Sequence, residues 1–150
     1  MIKTAIIDNE QSARETLRSK INKVCQELEI IGEADGVETG ITLIKEKCPS
    51  LVFLDIQMED GTGFDLIEKI AETQTINFKI IFVTAYDQYA IKAIKYSALD
   101  YLLKPVMLNE LAEAVKRITA GTPNDNIAIN YNVLLENQSK QTNTLKKIVI

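Results

Sequence analysis

The sequence predicts an α/β protein: a five-stranded parallel sheet with helices on both faces, a doubly wound sandwich of five strand–helix units. Three observations carry this. Short apolar, β-branched runs alternate five times with amphipathic helical stretches between Ile2 and about Ala120. That order calls for parallel strands joined by right-handed crossovers. The run Leu51–Leu54 is apolar without a break and leads straight into Asp55, as expected of a strand buried on both faces. Polar residues also stand where strands end, and open α/β sheets build their sites along that edge.

The first strand is Ile2–Ile7, closed by Asp8-Asn9-Glu10. A helix is expected over residues 12 to about 28, because Ala13, Leu17, Ile21, Val24 and Leu28 recur at three- and four-residue spacing. Ile30, Ile31 and Ala34 mark a short second strand, closed by Asp35-Gly36. The second helix, Val37–Lys47, carries Val37, Ile41 and Ile44 on one face and is stopped by Cys48-Pro49-Ser50. The third strand covers residues 51–55. A loop over 59–63, with two glycines, leads into a third helix bearing Phe64, Leu66, Ile67 and Ile70. Residues 78–83 form the fourth strand and run into Thr84-Ala85. Residues 86–97 are expected to be helical, and 101–103 a short fifth strand ending at Lys104-Pro105. The last helix, Leu108–Ala120, turns Leu111, Ala112, Val115 and Ile118 inward and Glu110, Glu113, Lys116 and Arg117 outward.

At 150 residues the chain holds one domain with a proper core, residues 1–120, and a remainder. Residues 121–143 are rich in Asn, Gln, Ser and Thr and are expected to be a linker. Residues 144–150 (Thr-Leu-Lys-Lys-Ile-Val-Ile) are expected to begin a second, truncated domain, since a lone strand is not stable without neighbours. Net charge is -4, so no bulk basic surface recommends nucleic acid as a partner of this piece. No stretch is long or apolar enough to span a membrane, and the N-terminus lacks a signal-peptide pattern. Cys25 and Cys48, without CxxC spacing, are expected to be free thiols of a cytoplasmic protein. The absence of histidine excludes a Ser-His-Asp triad, His-ligated zinc and a phosphohistidine donor within this chain.

Asp8, Asn9 and Glu10 end the first strand, Asp55 the third, Thr84 the fourth and Lys104 the fifth. A parallel sheet brings all of them to one edge. Each alone has an ordinary structural role, as a helix cap or a solvated charge; gathered at four strand ends, they make a site. Carboxylates without histidine or cysteine form a hard oxygen site suited to magnesium more than zinc. A carboxylate there can act as a nucleophile toward phosphorus and form an aspartyl phosphate. Phosphoryl transfer mostly needs positioning and neutralisation of the equatorial oxygens. Mg²⁺, the Lys104 ammonium and the Thr84 hydroxyl suit the three oxygens.

Carried by Asp8-Asn9-Glu10, by Asp55 with Met58 and Gly63 downstream, by Thr84-Ala85 and by Asp100-Tyr101-Leu102-Leu103-Lys104-Pro105, a resemblance emerges. The chain from Ile2 to about Ala120 resembles the receiver domain of two-component response regulators, with its chemotaxis-protein-like, flavodoxin-like fold. The resemblance implies strand order 2-1-3-4-5. It implies Asp55 as phosphoacceptor, a partner sensor histidine kinase as donor, and Mg²⁺ held by Asp8, Asn9, Asp55 and the backbone carbonyl of Gln57. Lys104 would pair with the phosphoryl group, Thr84 would move toward it, Tyr101 would be the aromatic switch, and the Lys104–Pro105 bond would be cis. Such a domain is a phosphoacceptor, limited to self-phosphorylation and autodephosphorylation, and not a turnover enzyme.

Two positions depart from the family pattern. Asn9 stands where an acid is usual, which removes one negative charge and implies weaker Mg²⁺ binding. Glu59 stands where a proline commonly follows the methionine, which changes loop stiffness more than chemistry. Residues 85–93 and 98–105 further resemble receivers joined to LytTR-type DNA-binding domains, and 144–150 is similar to the first strand of such a domain. DNA would then be bound only through a C-terminal domain beyond this chain.

Phosphorylation adds nearly two negative charges. Drawing Thr84 inward would open space for the Tyr101 ring and bias the surface made by the fourth helix, fifth strand and fifth helix. That surface is expected to present Tyr89, Ile91, Lys92 and Lys95 against Glu110, Glu113, Lys116 and Arg117, a mixed set suited to a symmetric homodimer. Other classes fit less well. A haloacid-dehalogenase-like phosphohydrolase wants a second acid where Gln57 stands, and a flavin-binding module wants a Ser/Thr/Gly-rich loop after the first strand. A receiver that works without phosphate, as a protein-interaction module, is the alternative that Asn9 motivates.

Overall fold

The computed structural model describes residues 1–120; the expected linker at 121–143 and the expected second-domain strand at 144–150 lie outside the described residues. In chain order the elements are β1 (Ile2–Ile7), α1 (Gln11–Val24), β2 (Leu28–Ala34), α2 (Val37–Lys47), β3 (Leu51–Leu54), β4 (Gln57–Met58) and β5 (Gly61–Thr62). They continue with α3 (Gly63–Thr73), β6 (Lys79–Thr84), α4 (Ala90–Lys95), β7 (Asp100–Leu103) and α5 (Leu108–Ala120). Five strands form one sheet in the order β2-β1-β3-β6-β7, every pairing parallel. Counted along the sheet's own strands this is the 2-1-3-4-5 order. The fold is the expected flavodoxin-like α/β sandwich.

Strand residues alternate between two cores, because successive side chains leave opposite faces. Ala5, Ile7, Val52, Leu54, Ile80 and Phe82 pack with Val37 and Ile44 of α2, Phe64 and Ile67 of α3, and Ala90 and Ala93 of α4. Ile6, Phe53, Ile81 and Val83 pack on the other face with Leu17 and Ile21 of α1 and Leu111 and Val115 of α5. Both faces of the central strands are thus apolar, which is why β3 reads as an unbroken hydrophobic run.

The sheet's register reaches into the site. The backbone amide of Asp8 donates to the carbonyl of Ala34, that of Asp55 to Ile7, and that of Lys104 to Thr84, at 3.1, 2.9 and 2.8 Å. Each site residue lies one step beyond its strand and is still bonded to the last residue of the neighbouring one. A one-residue slip would turn every strand side chain to the other face and bury the wrong set, so the position of each site residue is tied to core packing.

Three boundaries differ from the sequence expectation. Helix α1 ends at Val24 and not near residue 28, because Leu28 pairs with Ile2 at the start of β2 and the Leu28 amide closes a turn onto Cys25. The expected loop over 59–63 includes half of a small antiparallel hairpin, in which Gln57 faces Thr62 and Met58 faces Gly61. The stretch expected to be helical from 86 yields only the six-residue α4, since Tyr86–Tyr89 turns with Ala90 donating to Asp87 over 3.4 Å. The β3–α3 connection is stapled at both ends. Thr62 and Asp65 form a capping box at the start of α3, and the Asp60 carboxylate accepts the Val37 and Glu38 amides of α2 at 2.8 and 3.1 Å. No helix among the described residues is long and apolar enough to cross a membrane.

Candidate functional site

At the carboxyl edge of the sheet, the Lys104 ammonium reaches Asp8 Oδ2 at 2.7 Å and Asp55 Oδ2 at 3.1 Å. One cation therefore ties together residues that follow β1, β3 and β7. The second oxygen of each acid is also occupied: Asp8 Oδ1 accepts the Glu10 amide at 2.9 Å and Asp55 Oδ1 accepts the Ile56 amide at 2.7 Å. Both acids are almost fully buried. Burial, and then the nearby Asp8 carboxylate, push the Asp55 carboxyl above the usual Asp range, and Lys104 only partly opposes them. For Lys104, burial alone would lower its pKa, but the bonds and charges of Asp8 and Asp55 outweigh it and raise it, so the ammonium stays protonated.

Two carboxylates face one ammonium, leaving an excess of negative charge next to open space. Asn9, Asp55, Gln57, Glu59, Tyr86 and Lys104 line a cavity of about 260 Å³ there. Among the described residues, no three His, Cys, Asp or Glu side chains gather as a metal-binding group. The donors on offer, an all-oxygen set, are the Asp55 carboxylate, the Asn9 amide and main-chain carbonyls, with Asp8 joined to Asp55 through Lys104 and lining a neighbouring cavity that shares Glu10, Ala85 and Lys104. Such donors beside uncompensated negative charge fit a hard divalent cation that keeps some of its water, as Mg²⁺ does. Asn9 lowers the charge and still offers one oxygen, its amide carbonyl.

The other expected residues are here too. Thr84 closes β6 fully buried; its carbonyl holds the Lys104 amide, and its hydroxyl accepts weakly from the Tyr86 amide at 3.4 Å. The Tyr101 ring is buried 6.2 Å from Phe82, and its hydroxyl donates to the Tyr86 carbonyl. Burial holds that phenol well above its usual range, so it stays a donor. Lys104–Pro105 is cis.

Arg14 was not singled out by sequence, and the close contacts of Gly63 and of the Gln57 side chain were not foreseen. Arg14 donates to the Asp8 carbonyl at 2.6 Å while pairing with Glu33 at 3.3 Å, which fixes the turn carrying Asp8 and Asn9. Its place in the second turn of a helix that starts beside Asp8 was the available signal. A Cβ on Gly63 would stand 2.5 Å from the Asp55 carbonyl, so only glycine lets α3 start this close to the site. The Gln57 side chain donates to the Tyr89 hydroxyl at 2.9 Å, a contact 32 residues apart that no local pattern foretells.

The outer surface of α4, β7 and α5 needs correcting in one respect. Arg117, expected to point outward, turns in to pair with the buried Asp100. Lys116 pairs with Glu113 at 3.6 Å, and Lys92 lies 4.7 Å over the Phe64 ring. These charges are engaged within the chain.

Comparison with known proteins agrees with this geometry. The family model of the response regulator receiver domain matches residues 4–116. An uncharacterized response regulatory protein of Vibrio parahaemolyticus is 43% identical over 118 residues, covering 79% of this chain and 48% of the relative. The sensory transduction protein LytT of Bacillus cereus is 40% identical over 117 residues, covering 78% and 47%. The REC domain of AraT, a response regulator of Geobacillus stearothermophilus, superposes with a TM-score of 0.68 at 31% identity, covering 77% of this chain and 92% of that domain. The chain spans about half the length of the curated relatives it matches. With the strand order, the Lys104 bridge and these matches in agreement, the chain belongs to the response regulator receiver domain family.

Proposed function

We propose that this receiver accepts a phosphoryl group on Asp55 from a partner sensor histidine kinase and signals by reshaping its α4–β7–α5 surface. The observation that carries the reading is the Lys104 bridge: a nucleophile-capable carboxylate held 3.1 Å from a half-buried ammonium beside a cavity rich in oxygen donors. In the transfer, an Asp55 oxygen forms a bond to phosphorus while the bond from phosphorus to the donor's imidazole nitrogen breaks. The imidazole leaves with the electron pair. Lys104 then faces a phosphoryl oxygen in place of the carboxylate oxygen, and the Thr84 hydroxyl donates to another. Asp8, Asp55, the Gln57 carbonyl and the Asn9 amide oxygen would hold Mg²⁺, which when bound supplies positive charge to the phosphoryl oxygens.

Intact mass after incubation with acetyl phosphate, with and without Mg²⁺, tests this beside Asp55→Ala. Gain of one phosphoryl group that needs both Mg²⁺ and Asp55 is the expected result. Asn9 favours a second reading, a phosphate-independent interaction module. A folded protein that gains nothing in either condition would establish that reading instead.

Downstream, the signal becomes a symmetric dimer through α4, β7 and α5 that brings two DNA-binding domains together in the cytoplasm, the domains lying in the part of the protein beyond this chain. The relatives' roughly doubled length and the similarity of residues 144–150 to a LytTR first strand support this. Light scattering should find the 150-residue chain shifting toward a dimer with beryllofluoride and Mg²⁺. A strict monomer at high concentration in both states would remove the dimer from the scheme.

A further inference from the structure

We propose that the Gln57–Tyr89 hydrogen bond ties the metal-binding edge to α4, making Tyr89 a positioning residue for that helix. The inference rests on the reading of Gln57 as a Mg²⁺ ligand through its main-chain carbonyl.

Gln57 has two handles. Its main chain begins β4 beside Asp55, along the cavity that Asn9 and Lys104 also line, and its side-chain amide donates to the Tyr89 hydroxyl at 2.9 Å. Tyr89 immediately precedes α4 and belongs to its first turn, since its carbonyl accepts the Ala93 amide at 3.0 Å. A shift of the 57–58 peptide toward a cation must move the side chain with it. The Tyr89 ring has only two rotatable bonds, and it is half-buried with ring contacts to Phe64, 6.2 Å away, and Tyr86, 6.1 Å away. It therefore passes displacement on.

The helix at the receiving end is lightly held. It has six residues, of which only Ala90 and Ala93 are fully buried, with Ile94 half-buried against the core, so little apolar area holds it. Short elements with few buried contacts are the first to respond to a local pull. The other route starts at Thr84, whose buried hydroxyl meets the Tyr86 amide and whose effect would run through the Tyr101 ring. The Gln57 tie starts at a different residue of the site and meets that route at Tyr89, whose backbone lies against the Tyr101 hydroxyl.

The test uses the 150-residue chain, ¹⁵N-labelled, with Mg²⁺ alone as the probe. In the wild type, amides of 90–95 should shift with the same midpoint as those of Asn9 and Ile56. In Tyr89→Phe, which keeps the ring and removes the hydroxyl, the site amides should still respond while the α4 response falls roughly fivefold, the ratio that one net hydrogen bond supports. Gln57→Leu removes the amide and keeps the main-chain carbonyl; it should give the same loss, and the double variant no further loss. An α4 response unchanged in Tyr89→Phe, or losses that add in the double variant, overturns the tie. An α4 silent in the wild type while the site amides shift overturns it as well and leaves the Mg²⁺ reading standing. Silence at Asn9 and Ile56 overturns the Mg²⁺ reading, and the tie falls with it.

Discussion

The two ends of β7 carry opposite electrostatic designs. At its amino end Asp100, 1% exposed, pairs with the Arg117 guanidinium, and its other oxygen accepts the Tyr101 amide. Four residues later, past the carboxyl end, Lys104 is shared between Asp8 and Asp55. The first arrangement gives a buried acid a guanidinium. The second keeps an excess negative charge, and that imbalance creates a demand for a cation. What marks the functional end is one ammonium shared by two acids.

Removing the cation from each end breaks the comparison most strongly. Arg117→Met leaves Asp100 buried without its guanidinium, with an expected loss of roughly 3 kcal/mol at neutral pH. Lys104→Met should cost less, about 1 kcal/mol, because the Asp8 and Asp55 side chains keep 8% exposure beside an open cavity, against 1% for Asp100. Urea unfolding of both variants measures the difference. A larger loss at Lys104 would mean that the carboxyl edge is the more tightly balanced of the two.

Asp55→Asn sharpens the comparison with a change of opposite sign. Burial and Asp8 raise the Asp55 pKa in the folded protein, so ionising Asp55 costs stability. That group's contribution is fully present below its unfolded pKa and is lost as pH rises through the raised folded one. The asparagine variant should therefore be more stable than wild type at neutral pH, by about 1 kcal/mol or roughly 4 °C in Tm. The gain should shrink as pH falls through the raised value and vanish below the ordinary Asp range. Paired thermal melts across that window check it. An unchanged or lowered Tm at neutral pH would mean that Lys104 fully compensates the second carboxylate.

The same contrast explains what could be read in the sequence. The sheet and the site edge were legible because both depend on short-range patterns: the apolar run before Asp55, the polar residue after each strand, and Gly63 at a fixed distance from Asp55. The ladder amides of Asp8, Asp55 and Lys104 convert those local patterns into one place. Arg117 was misread as outward because heptad-like spacing reports a helix face, whereas its partner Asp100 lies on a neighbouring strand. Helix α1 was drawn too long because Leu28 fits both a helical stripe and the first position of β2, and only pairing with Ile2 decides between them. Gln57 and Tyr89 meet only once β4 and the turn before α4 are folded.

Cys25 supplies the limiting case of a buried ionisable group facing no opposite charge. It is 1% exposed beneath α1, and burial, helped by Glu27, pushes its thiol up to about 11. The thiolate is the reactive form, so this sulfur should stay inert in the folded protein. Cys48 is free and exposed in the left-handed position that ends α2, within reach of a reagent. A thiol-reactive disulfide reagent at pH 8 should modify one equivalent quickly and the second only in urea, with no effect on stability from the first. A fast reaction of both in native buffer would mean that the α1–β2 turn opens often enough to expose Cys25. The core under α1 would then be looser than its packing around Leu17, Ile21 and Leu28 implies.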